Sequence, residues 1–433
     1  DFFRPFFGGL VKEYNYVFVI LPEGLNQKTM NIYTQCDQIF VLTDTQERVI
    51  YQTRLMINQL EEERGHGRES LKVILARLEE GEMIGTKGIE ESLNYSISYK
   101  LPELPKAVPT GDQELVPYVT ENSDHEYSKN IRRIARQIGN VSVGLALGAG
   151  AARGFAHIGV IKVLEEAGIV VDVVAGSSMG SLIGAVWASG ATPGQMEEYA
   201  NEFGEKGGLW SWSDLSFPPV KSIFRGHRVE KFLEHMMEGS TFSDTHFPIK
   251  LVSTDLETLK EVVIDSGSLV DGVRASISLP MVFEPVKKGD QTLVDGGVLS
   301  PVPVETLAGL GVSRIIAVNP IPQLDVLREH RHTRHVKDVK KVESWLTSLK
   351  KQIFPTGKGN IIDTFMRSLQ TMQAQLAATA CAEADVLLEP AVPTARWYEF
   401  DKPNKFIRQG EYSARKQLDE IKQVARPEKV PSE

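Results

Sequence analysis

The stretch Val171–Ala185 constrains the fold of this chain most, because it joins a short apolar run, a sharp turn and an apolar helical segment without a break. The run predicts a buried parallel strand. The turn is Gly176-x-Ser178-x-Gly180, and a serine on a turn between a strand and a helix holds its hydroxyl clear of the sheet. We therefore predict that Ser178 is a nucleophile and that the Met179 N–H, at the helix start, faces a developing oxyanion.

Length, net charge and cysteine content limit the classes of protein to which this chain can belong. A chain of 433 residues is long enough for two or three hydrophobic cores. Its net charge of −9 predicts no nucleic-acid partner and no general attraction to anionic membranes. Cys36 and Cys381 have neither the spacing of a metal site nor that of a disulfide framework, which is typical of a reducing, cytoplasmic compartment. Because Asp1 begins the chain without an initiator Met or a signal-peptide pattern, we expect a natural beginning that is left out here.

Residues 1–100 predict a smaller α/β domain. Apolar runs predict strands at Tyr16–Pro22, Gln38–Thr43 and Leu71–Leu75, and helical spacing predicts helices at Asn26–Thr34 and Gln46–Glu63. A Pro-rich linker is predicted at 101–125, a second domain at 126–425 and a disordered tail at 426–433.

Two pieces of this first domain, Tyr14–Pro22 and Cys36–Thr43, resemble the second half of a ParA/MinD-type P-loop ATPase domain. Ile20 stands where that family has an acidic residue, and the chain has no Gly-x-x-x-x-Gly-Lys-Ser/Thr loop. The resemblance therefore implies a degenerate domain with a regulatory or docking role and without nucleotide hydrolysis.

A second glycine-rich turn, Gly148–Gly154, follows the predicted strand Val141–Leu147 and precedes a predicted helix. Backbone N–H groups at such a turn bind anions. One use is a dinucleotide pyrophosphate, but Arg153 replaces the third glycine of the Gly-x-Gly-x-x-Gly pattern. The other use is an oxyanion hole for Ser178, since consecutive parallel strands usually lie side by side. Two glycine-flanked turns at neighbouring strand ends favour acyl transfer.

A serine nucleophile needs a group that accepts its proton. None of the nine histidines lies on an obvious strand-end turn. His157 is predicted to pack within a helix, and the histidines at 330–335 lie in a charged stretch that predicts a solvated face. Asp295 is the better candidate, because it ends a short predicted strand and is followed by Gly296 and Gly297. A carboxylate in a water-poor cleft can act as the base directly.

These three motifs occur in the order found in the patatin-like phospholipase family, and the chain resembles its bacterial and neuropathy-target-esterase branches from about Ile131 to Pro320. The resemblance implies a three-layer α/β fold around a mostly parallel sheet. It also implies hydrolysis of phospholipid or lysophospholipid acyl esters through an acyl-enzyme, with Ser178 as nucleophile, Asp295 as base and neither metal nor cofactor. The candidate oxyanion-hole residues are Gly148, Gly150, Ala151, Ala152, Arg153 and Met179, of which Arg153 orders the loop.

Ala149 and Ala151 stand where this family often has glycine, and alanine resists a positive φ, so they put the loop geometry in question. The alternative is a non-catalytic lipid- or nucleotide-binding scaffold with a vestigial site. Peripheral membrane contact through the aromatic loop Trp210–Pro219 is left open. Residues 322–380 are expected to be mainly helical, and an amphipathic helix at Lys405–Ile421 is expected to close the fold.

Overall fold

The computed structural model describes residues 3–21, 24, 26–64, 71–78, 87–104, 112–122, 125–206, 222, 224–323, 361–390, 392 and 395–426. The chain divides into two compact units, Asp1–Ile138 and Gly139–Glu433. The predictions for the loop Trp210–Pro219, the histidines at 330–335 and the tail beyond residue 426 lie outside the described residues.

The first unit is built on a three-stranded parallel sheet of β1 (Ile39–Thr43), β2 (Leu71–Leu78) and β3 (Ile97–Pro102), in that order. Its helices are α1 (Phe3–Glu13), α2 (Gln27–Tyr33), α3 (Glu47–Arg64), α4 (Lys87–Leu93), α5 (Asp112–Glu121) and α6 (Glu126–Ile138). Helices alternate with parallel strands, so the α/β prediction is confirmed for this unit. Strand β3 and helices α1, α4 and α5 have no counterpart among the predicted elements.

The prediction of a buried strand at Tyr16–Pro22 is wrong. Residues 16–21 have no regular secondary structure, and the side chains of Phe18 and Ile20 are 70% and 96% exposed. An apolar run forms a strand only where a neighbouring strand satisfies its backbone groups, and in the described sheet β1 to β3 pair with one another. The resemblance of this unit to ParA/MinD-type domains stays a prediction.

The division between the units lies after Ile138 and not in the predicted linker at 101–125. Helix α6 packs on the sheet of the first unit, where Ile131 and Ile134 join the cluster that contains Tyr99 and Leu101. The Tyr99 hydroxyl also donates a hydrogen bond to Gln137 Oε1 on α6. Because α6 buries its apolar stripe on this sheet, it belongs to the first unit rather than leading into the second.

The second unit is built on an eight-stranded sheet in the order β11-β10-β4-β5-β6-β9-β8, with β7 paired to β6. Its strands are β4 (Val143–Leu147), β5 (Val173–Ser177), β6 (Ile249–Asp255), β7 (Lys260–Ile264), β8 (Val286–Lys288), β9 (Gln291–Asp295), β10 (Arg314–Val318) and β11 (Val386–Leu388). Strands β4, β5, β6, β10 and β11 are parallel, and β7, β8 and β9 are antiparallel to their neighbours.

Helices cover both faces of this sheet. Successive residues of a strand point to opposite faces, and along β4 Leu145 and Leu147 join one hydrophobic cluster while Ala146 joins the other. The predicted three-layer α/β fold is therefore confirmed. The described helices of this unit are α7 (Ala156–Glu166), α8 (Met179–Ala188), α9 (Pro193–Glu205), α10 (His227–Met237), α11 (Leu269–Ser276), α12 (Val304–Gly309), α13 (Ile361–Ala380), α14 (Pro403–Lys416) and α15 (Leu418–Ala425).

The amphipathic segment predicted as one helix at Lys405–Ile421 forms two helices, α14 and α15. The helical prediction for residues 322–380 is confirmed over α13. Across the described residues, none of the helices combines the length and the apolar character that a bilayer crossing needs.

Helices α7 and α14 pack closely because each has a glycine at the crossing. A Cβ atom on Gly159 would lie closer than 3.0 Å to the Ile407 carbonyl, and one on Gly410 would lie equally close to the Ala156 carbonyl. Both obstacles are backbone atoms, which cannot move aside as the end of a side chain can. The position of α14, which also carries the fully buried Phe406, therefore depends on these two glycines.

We expect Gly159→Ala to destabilise the second unit by at least about 2 kcal/mol, because overpacking against backbone outweighs the helix propensity that alanine adds. The matched control is Gly309→Ala in α12, where an added Cβ meets nothing within 4 Å. Thermal and urea unfolding measure both variants. A Gly159→Ala variant as stable as Gly309→Ala would contradict the tight crossing.

Candidate active site

The candidate site lies where the carboxyl ends of β5 and β9 come together on β6. Ser177 at the end of β5 pairs with Val252, and Asp295 at the end of β9 pairs with Ser253. Strand β7 pairs with β6 from the other side, so β5 and β9 lie along the same edge of β6. Strand β5 is parallel to β6 and β9 is antiparallel, so their carboxyl ends point toward each other and bring Ser178 beside Asp295.

Ser178 lies on a strained turn between β5 and α8, with φ 54° and ψ −120°. Such a backbone conformation costs a non-glycine residue about 1–3 kcal/mol and persists only when its surroundings enforce it. Gly176 and Gly180 allow this turn, because a Cβ on the first would lie closer than 3.0 Å to the Ser181 backbone and one on the second equally close to the Leu147 carbonyl. The predicted strand, turn and helix around Ser178 are confirmed.

The Ser178 hydroxyl donates a hydrogen bond of 2.5 Å to Asp295 Oδ2. The second carboxylate oxygen, Oδ1, accepts the Gly297 N–H at 2.8 Å, so both oxygens of Asp295 are oriented. Asp295 is only 1% exposed. Gly296 fits beneath β6 because it has no side chain: a Cβ there would lie closer than 3.0 Å to the Val252 carbonyl. The geometry therefore supplies a hydroxyl in contact with a buried, oriented carboxylate.

Burial raises the pKa of Asp295 to about 6, against the opposing effect of the hydrogen bonds from Ser178 and Gly297. Removal from water disfavours the charged carboxylate, and donated hydrogen bonds favour it. At neutral pH the carboxylate is still mostly ionised, but it accepts a proton more readily than an aspartate in water does. This is the property that a direct proton acceptor for a serine hydroxyl needs.

Most backbone N–H groups of the glycine loop are already bonded. Those of Gly148, Ala152 and Arg153 donate to the carbonyls of Val318, Trp397 and Gly150, at 3.0, 3.0 and 3.1 Å. The prediction that these three are oxyanion donors is therefore corrected, because an N–H directed at a carbonyl is not available to a ligand. The same bonds argue against a pyrophosphate cradle in this loop.

Three of the predicted donors remain. Within the described part of the chain, the N–H groups of Gly150, Ala151 and Met179 have no hydrogen-bond acceptor. Ala151 and Met179 line the same cavity as Ser178. Ala151 does adopt a positive φ of 48°, so alanine at this position carries strain but does not prevent the turn.

Two buried side chains, those of His157 and Arg153, hold the glycine loop in place through hydrogen bonds to backbone carbonyls. His157 Nε2 lies 2.7 Å from the Gly148 carbonyl, which can only accept, so Nε2 carries the hydrogen. Burial lowers the pKa of His157 to about 4, so the ring is neutral, and the predicted packing role is confirmed. Arg153 Nη2 donates to the Ala395 carbonyl at 3.0 Å, which ties the loop to the chain near residue 395. Burial lowers the Arg153 pKa to about 10, opposed by the charge of Glu399.

An apolar cavity of about 110 Å³ opens beside Ser178 and Asp295. Helices α8, α9 and α10 form much of its wall. Beside Ser178 and Asp295, the polar groups among the lining side chains are the Tyr199 hydroxyl and the Trp397 indole N–H. The apolar wall residues include Ile183, Val186, Met196, Phe203, Phe232, Leu233, Leu279 and Phe283. A cavity of this composition suits a hydrocarbon chain better than a polar ligand. Among the described residues, no three His, Cys, Asp or Glu side chains group as metal ligands would.

Sequence reasoning missed two contributors to the site. Residues 395–400 supply the carbonyls that orient the glycine loop, and Trp397 and Phe400 also line the cavity. Ser276 accepts the backbone N–H of Ser178 at 3.1 Å. Ser276 lies within the range Ile131–Pro320 that carries the family resemblance, which is the sequence signal that includes it.

Comparison with known proteins finds sequences similar to part of the second unit. Residues 145–308 match the family model described as Patatin-like phospholipase. The chain is 36% identical over 195 residues to Lysophospholipase nte1 of Aspergillus fumigatus. It is 34% identical over 201 residues to Neuropathy target esterase sws of Drosophila melanogaster, and 34% identical over 191 residues to Patatin-like phospholipase domain-containing protein 6 of Mus musculus.

These matches cover 43–46% of this chain and only 13–14% of each relative, so they compare one domain and not whole proteins. The matched family segment contains Ser178, Asp295 and the glycine loop. This chain therefore contains a domain that matches the patatin-like phospholipase family, and over that region it is homologous to proteins named lysophospholipase and neuropathy target esterase.

Proposed function

We propose that this chain is a serine esterase that hydrolyses acyl ester bonds of phospholipids or lysophospholipids. The observation that carries the proposal is the 2.5 Å hydrogen bond from Ser178 Oγ to the buried carboxylate of Asp295, beside an apolar cavity. The names of the relatives support the substrate class, since lysophospholipase and patatin-like phospholipase both denote hydrolysis of lipid esters.

In the first half of the proposed reaction, Asp295 accepts the Ser178 proton as Oγ attacks the ester carbonyl. The carbonyl oxygen takes up the negative charge and is stabilised by the N–H groups of Gly150, Ala151 and Met179. When this intermediate collapses, the bond from the carbonyl carbon to the alcohol oxygen breaks. The departing alcohol takes the proton from Asp295, and the acyl group remains on Ser178.

In the second half, a water molecule attacks the acyl-enzyme and Asp295 accepts one of its protons. The bond to Ser178 Oγ breaks, the serine recovers its proton from Asp295, and a fatty acid leaves. The apolar cavity would hold the acyl chain in both halves, which fixes the carbonyl beside Ser178. Each half starts and ends with an ionised Asp295, and no metal or cofactor is required.

We propose that this chemistry takes place in the cytoplasm, at the surface of a membrane that supplies the lipid. The two cysteines, Cys36 and Cys381, are free thiols, which suits a reducing compartment.

Replacing the nucleophile tests the central role. We expect Ser178→Ala to lower kcat for a short-chain nitrophenyl ester by at least roughly a thousandfold. It should also abolish labelling by a fluorophosphonate, with the site of attachment read by mass spectrometry. The control is Ser189→Ala at the C-cap of α8, since that hydroxyl donates to the Val186 carbonyl and not to Asp295. Full activity in Ser178→Ala, or a label on another residue, would contradict the mechanism.

The proton acceptor predicts a pH profile. Because the base must be ionised and burial raises the pKa of Asp295 to about 6, kcat/KM should fall about tenfold per pH unit below that value and level off above it. Asp295→Asn cannot accept the proton, so it should lose activity comparably to Ser178→Ala. A wild-type profile that is flat from pH 7 down to pH 4, or an Asp295→Asn variant with normal kcat, would exclude Asp295 as the base.

The cavity predicts a dependence on acyl chain length. Val186 lies eight residues beyond Ser178 on α8, roughly 12 Å along the helix, and lines the cavity. Val186→Trp should fill the part of the cavity near residue 186, so it should lower kcat/KM at least roughly tenfold for a palmitoyl ester and change little for a butyryl ester. Val186→Ala is the matched control and should leave both substrates active. Equal effects of Val186→Trp on both esters would show that the acyl chain lies elsewhere.

A further inference from the structure

Ser276 is a fully buried hydroxyl behind the Ser178 turn, at the last residue of α11. Its Oγ accepts the Ser178 N–H at 3.1 Å and lies 2.6 Å from Ser181 Oγ. The same hydroxyl donates a hydrogen bond to the Val252 carbonyl on β6. One side chain therefore connects the strained turn, the helix that follows it and the neighbouring strand.

The hydrogen-bonding capacity of Ser276 is filled by these partners. A hydroxyl has one hydrogen to donate and two lone pairs to accept with. The Val252 carbonyl can only accept, so it receives the hydrogen of Ser276. The Ser178 N–H can only donate and fills one lone pair, which leaves the other for the hydroxyl hydrogen of Ser181. With nothing left for a substrate, and with no place in the cavity wall, Ser276 acts through Ser178.

The hydrogen bond that the Ser178 N–H donates to Ser276 Oγ fixes the peptide group that precedes Ser178, and a second hydrogen bond fixes the peptide group that follows. The Ser178 carbonyl accepts the Leu182 N–H at 3.2 Å. With both peptide planes fixed, the angles φ 54° and ψ −120° are set, and they decide where Oγ and the Met179 N–H point. An unusual backbone conformation of this kind persists only where surrounding contacts enforce it.

The Val252 end of this connection also bears on the proton acceptor. Val252 pairs with Ser177, and Gly296 packs against its carbonyl beside Asp295. Ser276 thus ties the turn that carries the nucleophile to the residue of β6 against which Gly296, the neighbour of Asp295, packs.

We propose that Ser276 is a positioning residue that holds the Ser178 turn in its reactive conformation, with Ser181 orienting the Ser276 hydroxyl. The proposal rests on the esterase function proposed above. Loss of the Ser276 hydroxyl would leave the Ser178 N–H without its buried acceptor and let the turn relax toward an unstrained conformation. Oγ and the Met179 N–H would then be displaced from the reacting carbonyl, while the acyl cavity stays intact.

The test is Ser276→Ala, measured by steady-state kinetics on a short-chain nitrophenyl ester and by hydrogen exchange of the peptide that spans residues 173–182. We expect kcat to fall roughly 10- to 100-fold with KM changed less than about threefold, because misplacing reacting groups affects the transition state more than binding. Exchange at the Ser178 amide should become faster. Ser276→Thr, which keeps the hydroxyl, should recover most of kcat and of the protection.

The control is Ser278→Ala, two residues further along. That hydroxyl is also fully buried and makes two hydrogen bonds to Arg274, at 2.7 Å each, so its loss has a similar structural cost without touching Ser178. Its kcat should stay within about threefold of wild type. Normal kcat and normal protection in Ser276→Ala, or an equal loss of kcat in Ser278→Ala, would overturn the positioning role.

If Ser276→Ala does not fold, Ser276→Cys keeps the volume with a weaker acceptor, and wild-type kcat in that variant would equally overturn the proposal. If the wild-type protein hydrolyses no ester, the proposed function fails. The hydrogen-exchange comparison then still decides whether Ser276 holds the Ser178 turn.

Discussion

Two consecutive residues of β6 align the strand ends on which the candidate site depends. Val252 pairs with the last residue of β5 and Ser253 with the last residue of β9, so the turns that follow are adjacent although Ser178 and Asp295 are 117 positions apart in sequence. A one-residue shift of β9 would turn Asp295 to the opposite face of the sheet. The contact between hydroxyl and carboxylate is therefore fixed by strand register, which the cores on both faces maintain.

The conformations that the site requires are unfavourable by themselves. Ser178 and Ala151 adopt positive φ angles, and Asp295 is held almost entirely out of water. Each of these costs stability. Hydrogen bonds from Ser178 and Gly297 offset the burial of the carboxylate, and the Ser276 hydroxyl offsets the strain at Ser178. Packing on both faces of the sheet supplies the favourable folding free energy that allows these strained conformations to persist.

Local motifs could be predicted from the sequence, and the pairing of Ser178 with Asp295 is implied by the family resemblance, but the hydrogen-bond partners of the glycine loop could not be predicted. The strand, turn and helix around Ser178 depend on adjacent residues, so their pattern is visible in the chain itself. Which N–H groups of the glycine loop remain free depends instead on distant carbonyls such as Val318 and Trp397, and three of the predicted donors proved to be occupied. The wrong strand at Tyr16–Pro22 has the same origin, since its apolar pattern carries no information about a pairing partner.

Burial also explains how an aspartate can act as the proton acceptor for a serine, a role that a histidine often has in serine hydrolases. A histidine in water has a pKa near 6.5, and burial raises the pKa of Asp295 to about 6, so the two groups have similar basicity in these settings. Burial has the opposite effect on His157, whose pKa of about 4 leaves it neutral and suited to hold the Gly148 carbonyl. Because desolvation strengthens a carboxylate as a base and weakens an imidazole, the dry interior of this site favours the aspartate as proton acceptor and gives the histidine a structural role.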